Sequence, residues 1–219
     1  MNMRIGRMTR HIAIAAALIG LGAASTLALQ QPEGATPPAG EMPDFSKMSK
    51  KELAAMMEAM GGRSEEHDLL GFMVGKSEHD VKMTMGHGIP DMTAKALGEG
   101  EWMLGKRFVV TRTRPAPGEE MATEAMNIFG YDTRKKEYFW IGLDTMGTYF
   151  VTAFGGYDEA TKTFTLFGEE THEQIGKVRH RMIITVTGDR TSTSAIEFEM
   201  QPGTNTWSRV VEIQSKSIE

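Results

Sequence analysis

The residues best suited to chemistry are two histidines that share a strand face with apolar neighbours. Side chains two positions apart on a strand point the same way. His180 therefore stands with Val178, Met182, Ile184 and Val186, and His79 with Val81, Met83 and Met85. A neutral imidazole in such company can ligate haem or a transition metal, or move a proton with a lowered pKa; it can equally be a hydrogen-bonded lining residue. His180 is central in its strand, whereas His79 lies near a strand start. Met83-Thr84-Met85-Gly86-His87 offers two thioethers and an imidazole at alternate positions, a set that Cu(I) accepts. Gly86 to Pro90 reads as a turn that would swing His87 away, so no metal site is assigned. Near the C-terminus Trp207, Arg209, Val211 and Ile213 share a side. The arginine there either packs on the indole or aims at a ligand carboxylate. Tyr138, Trp140, Phe150 and Met182 complete the ligand-binding set with His180, Trp207 and Arg209. Met126, Ile128, Phe154, Phe164, Ile196, Phe198 and Met200 extend the same apolar wall.

Motifs of catalysis are missing from the chain. There is no Gly-x-Ser-x-Gly elbow, no glycine-rich phosphate loop and no His-Glu-x-x-His. Glu124 shares its side with Met126 and Ile128, where a buried carboxyl would act as a general acid and an exposed one merely ends a strand. No catalytic residue and no cofactor is assigned.

These residues need strands to position them. From Gly75 onward the apolar period is two, with turn residues every 8 to 14 positions. Ten strands are predicted, at 77–85, 93–102, 106–114, 121–130, 137–143, 148–155, 163–169, 177–187, 192–200 and 206–214. No crossover helix separates them, so neighbours in sequence should pair antiparallel through hairpins. About ten twisted strands with one apolar face bury it by closing. The predicted fold is all-β, an antiparallel up-and-down, lipocalin-like barrel over residues 64–219, with a two-sheet sandwich as the alternative. Gly130-Tyr131-Asp132 with Lys136 recurs 26 residues later as Gly156-Tyr157-Asp158 with Lys162. Asp132 and Asp158 are read as turn formers, because an aspartate accepts a hydrogen bond from the backbone two residues on.

Ahead of the barrel the composition changes twice. Ser49-Lys50-Lys51-Glu52 has capping-box spacing, and Leu53, Met56, Met57 and Met60 follow at helical intervals up to Gly61-Gly62. This predicts an amphipathic helix over 49–62, whose methionine face packs on something apolar or serves a protein partner. A second short turn is expected from Ser64 to Met73, plugging or flanking the barrel. Residues 29–48 are rich in proline and glycine and read as a flexible linker. Residues 1–28 have the order of a cleavable signal peptide: Arg4, Arg7 and Arg10, then an apolar run from Ile12 to Ala24, then small residues that place the cut after Ser25 or Ala28. That run is too short for a permanent membrane span. Export to the periplasm or the exterior follows.

Composition bounds the partners. The chain has 219 residues, 24 basic against 29 acidic, a net −5. Loss of the three leader arginines would take the mature chain to −8, so nucleic acid is not expected as a partner. Cysteine is absent, which removes disulfides, thiolate ligands and thiol nucleophiles.

Several short elements between residues 66 and 169 resemble a bacterial family named domain of unknown function 1579. They are Glu66-His67-x-Leu69-Leu70, Leu104-Gly105-Lys106-Arg107-Phe108, Gly130-Tyr131-Asp132, Asp144-Thr145-Met146-Gly147-Thr148, Gly156-Tyr157-Asp158 and Gly168-Glu169. The resemblance implies a small lipocalin-like barrel and an exported protein, and it carries across no catalytic residue. Three functions stay open: a binder of a small apolar or amphipathic molecule inside the barrel, a metal- or haem-dependent enzyme or redox protein using His180, and a structural module that docks a protein through the 49–62 helix.

Overall fold

A computed structural model describes residues 48–218 except 87, 120–122 and 174–175. The expected signal peptide, the expected linker up to residue 47 and His87 lie outside the described residues. Ten strands follow one another: β1 (Gly75–Met83), β2 (Met92–Met103), β3 (Phe108–Pro115), β4 (Ala125–Asp132), β5 (Glu137–Asp144), β6 (Phe150–Asp158), β7 (Thr163–His172), β8 (Gly176–Gly188), β9 (Thr191–Glu199) and β10 (Trp207–Ser217). Each pairs antiparallel with the next, and β10 closes on β1 from Ser77↔Ser217 to Met83↔Val211. The sandwich alternative is thereby excluded, since closure leaves no free sheet edge.

The repeated hairpin signature works as turn chemistry. Asp132 Oδ1 accepts from the Arg134 amide at 3.0 Å and Asp158 Oδ1 from the Ala160 amide at 2.9 Å. Lys136 and Lys162 end the two turns in the left-handed region, with φ of 56° and 52°. The guanidinium of Arg134 beside Asp132 holds that carboxyl down at about 2.

Among the described residues two short helices precede β1. The helix Lys50–Gly61 (α1) starts on the expected capping box, Ser49 Oγ accepting from the Glu52 amide and Glu52 accepting from the Ser49 amide. It leaves through an extended Gly62 (φ −66°), not through the left-handed stop that paired glycines suggest. Leu53 and Met57 are exposed on it, and its ties to the barrel run through Arg107, which binds the Glu58 carboxylate and the Gly61 carbonyl. The 3-10 helix Glu65–Met73 does plug one barrel end. Its Leu70 is 1% exposed, Phe72 stacks on Phe164, and the Tyr138 hydroxyl donates to the Glu66 carbonyl at 3.0 Å. His67 is buried in the same plug, Nδ1 against the Ser64 amide and hydroxyl and its ring edge-on to Tyr131.

The core is lopsided. Tyr131, Tyr138, Tyr157 and Phe164 pack ring on ring beneath β4 to β7 and fill that side. Beneath β1, β2, β9 and β10 the inward positions carry alanine, glycine and serine, among them Ala94, Ala96, Gly98, Ser194 and Ser215. Small side chains cannot fill the interior of a ten-stranded barrel, so the space there stays hollow.

Candidate functional site

The hollow has two lobes that share Val81, Thr113, Asn127, Met182 and Ile213. The larger, about 260 Å³, opens at the end opposite the plug. Its wall is built by β5, β8 and β9, whose inward positions bring Trp140, His180, Met182, Ile196 and Phe198 together. Trp140 lies edge-on to His180 with centroids 6.4 Å apart, and Phe198 sits 6.0 Å from the same imidazole. The indole is fixed from behind, Nε1 donating to Asn127 Oδ1 at 2.8 Å.

His180 is 3% exposed, and its Nε2 has no hydrogen-bond partner among the described residues. The ring fits because Gly168, opposite it on β7, has no side chain: a Cβ there would overlap Nε2 and the Thr152 carbonyl. Burial presses the imidazole pKa down to about 4, with the Thr152 carbonyl alone favouring the charged ring. His180 is neutral at pH 7, able to accept or donate one hydrogen bond in the cavity wall.

Two carboxyls and a phenol sit at the mouth of this lobe. Asp144, at the end of β5, accepts from the Met146 amide at 2.8 Å, yet burial still raises its pKa. Glu170, on the inward face of β7, is pushed up to about 7 by burial. Tyr149 is pushed up to about 12, by burial and by the charges of Asp144 and Glu170. Sequence reading missed this trio. Glu170 continues the inward series Phe164, Leu166, Gly168, and Asp144 continues Tyr138, Trp140, Gly142, so the alternation that found the aromatics would have found the acids as well.

The smaller lobe, about 160 Å³, lies against the plug and holds His79. There Nδ1 is 2.8 Å from Ser215 Oγ and Nε2 is 3.0 Å from Ser77 Oγ. Burial lowers the His79 pKa as well.

Three of the seven expected ligand-binding residues meet in the cavity: His180, Trp140 and Met182. Tyr138 points inward but belongs to the filled half, 4% exposed between Tyr131 and Phe164. Phe150 is placed on the outside and is 60% exposed, because β6 turns Val151 and Ala153 inward instead. Phe154 shares its outward side, and on β4 Met126 and Ile128 alternate with the inward Ala125, Asn127 and Phe129. Met200 lies past the end of β9 and is 62% exposed. Trp207 and Arg209 are also outside. A register shift between Arg209 and Val211 reverses the side of everything before it on β10. Val210 and Val211 both line the cavity, while the Arg209 guanidinium binds Glu197 and Glu212. The cation–π partners of Trp207 are Arg181 at 4.5 Å and Arg179 at 5.6 Å, not Arg209. Glu124 is exposed, and its amide donates to Thr145 Oγ1.

No group of three or more His, Cys, Asp or Glu side chains converges among the described residues. No helix among them is long and apolar enough to cross a membrane. Fold and cavity together define a closed ten-stranded antiparallel barrel, plugged at one end by a 3-10 helix and hollow on one side. The chain belongs to the family described as protein of unknown function (DUF1579), whose family model matches residues 63–216, the plug and nearly all of the barrel. No curated protein matches it.

Proposed function

We propose that the barrel binds a small apolar or amphipathic molecule in its interior and that catalysis is not its role. The observation that carries this reading is the open lobe of about 260 Å³ walled by Trp140, His180, Met182, Ile196 and Phe198. A concave apolar wall with a few polar groups is the usual form of a small-molecule site. A volume of this size suits a compact guest.

The experiment is native mass spectrometry of the purified protein, joined to titration with the neutral apolar fluorophore N-phenyl-1-naphthylamine. Ala94→Leu thrusts bulk into the lobe and should abolish binding of the fluorophore, whereas Trp207→Ala, altered on the outer wall, should leave it intact. Equal binding by all three proteins would place the guest elsewhere and end the proposal.

The competing reading, a metal or haem on His180, draws on the unpartnered Nε2. Absorbance and metal analysis of the purified protein distinguish it, since a bound haem or copper is visible without any assay. Docking of a protein through the 49–62 helix draws on the exposed Leu53 and Met57. Export is proposed from the leader sequence, and the intact mass of the mature protein tests it by loss of 25 or 28 residues, the cuts after Ser25 and Ala28.

A further inference from the structure

Beneath the apolar lobe lies a patch of wall with a different chemistry, built where β1, β2, β9 and β10 meet. A neutral imidazole has one N–H and one lone pair. With a serine hydroxyl on each nitrogen of His79, one serine must donate to the ring and the other must accept from it, whichever tautomer holds. The serine that accepts keeps its own O–H, and the serine that donates keeps its lone pairs. The Ser77–His79–Ser215 chain therefore offers the lobe one donor and one acceptor.

The missing side chain of Gly98 lets the ring and its Ser77 partner lie close against the wall, with the lobe open beside them. Gly98 lies opposite Ser77 across the β1–β2 pair, and a Cβ there would overlap His79 Nε2 and come within 2.6 Å of Ser77 Oγ. Thr113 and Ser194 add hydroxyls to the wall. No inward position of β1, β9 or β10 is charged in this lobe. The charged residues along it are Lys76, Glu99, Asp189 and Arg190, two of each sign, on outward strand positions or in the β8–β9 turn. Such a balance gives no preference to an anion or a cation.

We propose that the His79 lobe takes the uncharged hydroxyl end of an amphipathic guest, an alcohol by chemical class, whose apolar part lies against Met182 and Trp140 in the neighbouring lobe. The inference rests on the reading that the barrel holds a guest, and it adds the guest's orientation and the chemistry of its polar end. A hydroxyl is the most compact uncharged group on a carbon chain that combines an O–H donor with oxygen lone pairs, which matches the donor and acceptor of the serine pair.

The test compares three eight-carbon probes on the whole protein by calorimetry or thermal shift: 1-octanol, 1-chlorooctane and octanoate. One well-placed pair of hydrogen bonds should make octanol bind about 5- to 10-fold more tightly than chlorooctane. Ser77→Ala with Ser215→Ala should erase that preference while chlorooctane binding stays unchanged, which also certifies the fold. Gly98→Ala, which forces the His79 ring and Ser77 Oγ out of position, should erase the preference through a different residue. Octanol and chlorooctane binding equally, octanoate binding more tightly than octanol, or a preference that survives these substitutions would each overturn the inference while leaving the guest-binding barrel standing. Failure of every probe and of the naphthylamine fluorophore to bind would overturn both.

Discussion

The barrel seats its two cavity histidines by the same device and leaves them in opposite states. Each ring lies over a glycine of an adjacent strand, Gly98 beneath His79 and Gly168 beneath His180. His79 has a hydroxyl on both nitrogens, while His180, 3% exposed, has an Nε2 with no partner. Removing the Cβ of a neighbouring residue gains space for an imidazole in either wall. What surrounds that space decides whether the imidazole is an adjustable polar contact or a sealed one. The difference should be visible as stability, and the sharpest probe of it is acid.

A histidine whose pKa is lower in the folded than in the unfolded state binds its proton preferentially when the chain unfolds. Its contribution is intact above the unfolded value near 6.5 and is lost as the pH falls toward the folded value. For His180, held at about 4, the window is pH 6.5 to 4, and the loss is about 3 kcal/mol. Urea unfolding measured across that window should give a falling midpoint for the wild-type protein and a flatter profile for His180→Gln. His79→Gln should flatten it less, because hydroxyl partners and the open lobe surround that ring. Equal flattening by the two substitutions would break the comparison.

Adding the missing Cβ comes next in size. Gly168→Ala drives a methyl into both His180 and the Thr152 carbonyl, and a backbone atom held in a sheet cannot step aside. Overpacking of this kind costs about 2 kcal/mol, a fall of several degrees in Tm for a domain of this size. At Gly98 the atoms nearest to an added Cβ belong to the side chains of His79 and Ser77, which can swing into the lobe. Its Tm should fall by less than half as much.

How far the sequence discloses all this varies from strand to strand, for identifiable reasons. Strand number, order and closure follow from a period of two and from turn residues, and the structure has them all. The inward faces of β1 and the first half of β8 are legible because charged residues stand between the inward ones, as Arg179 and Arg181 do between Val178, His180 and Met182. On β6 the rule that bulky residues point inward fails. Trp140 and Tyr138 of the paired β5 already occupy the interior, so Ala153 enters and Phe150 and Phe154 are turned out. Lys135 covers part of that exposed surface, with Nζ 5.1 Å from the Phe154 ring. The bulge on β10 leaves no trace in the pattern, and it carries Trp207 and Arg209 to the outer wall. The hydroxyl lobe was invisible for a third reason: serine and threonine on a strand read as solvent-facing until closure brings β1 against β10.

The plug offers a third way to separate the two lobes. Tyr138, 4% exposed, ties β5 to the 3-10 helix through its hydroxyl on the Glu66 carbonyl. Tyr138→Phe removes that tie and should cost about 1 kcal/mol. The effect should be local. Phe72, Met73 and Val74 of the plug border the His79 lobe and do not line the larger one. Hydrogen exchange should therefore quicken in residues 65–74 and near Ser77, with no change around His180. Uniform quickening would mean that the plug holds the whole barrel together.

The smallest expected effect lies at the mouth and has the opposite sign on the pH axis. Glu170 faces the cavity with its pKa raised to about 7 by burial. Its folded pKa lies above its unfolded one, so the folded state favours the protonated carboxyl. Below the unfolded value near 4.5 both states carry the proton and nothing is lost. As pH rises from 4.5 to 7 the ionised form becomes a burden on the fold, and above 7 the full penalty applies. The side chain is only partly buried, so screening limits it to about 0.5 to 1 kcal/mol. Glu170→Gln should match the wild type at pH 4 and exceed it in Tm by a degree or two at pH 8. Paired with His180→Gln, it separates the two walls of one cavity by opposite slopes across the same acid range: the histidine withdraws stability as pH falls from 6.5 to 4, and the glutamate withdraws it as pH rises from 4.5 to 7. A gain at pH 4 as large as at pH 8 would show that packing, not charge, distinguishes the variant.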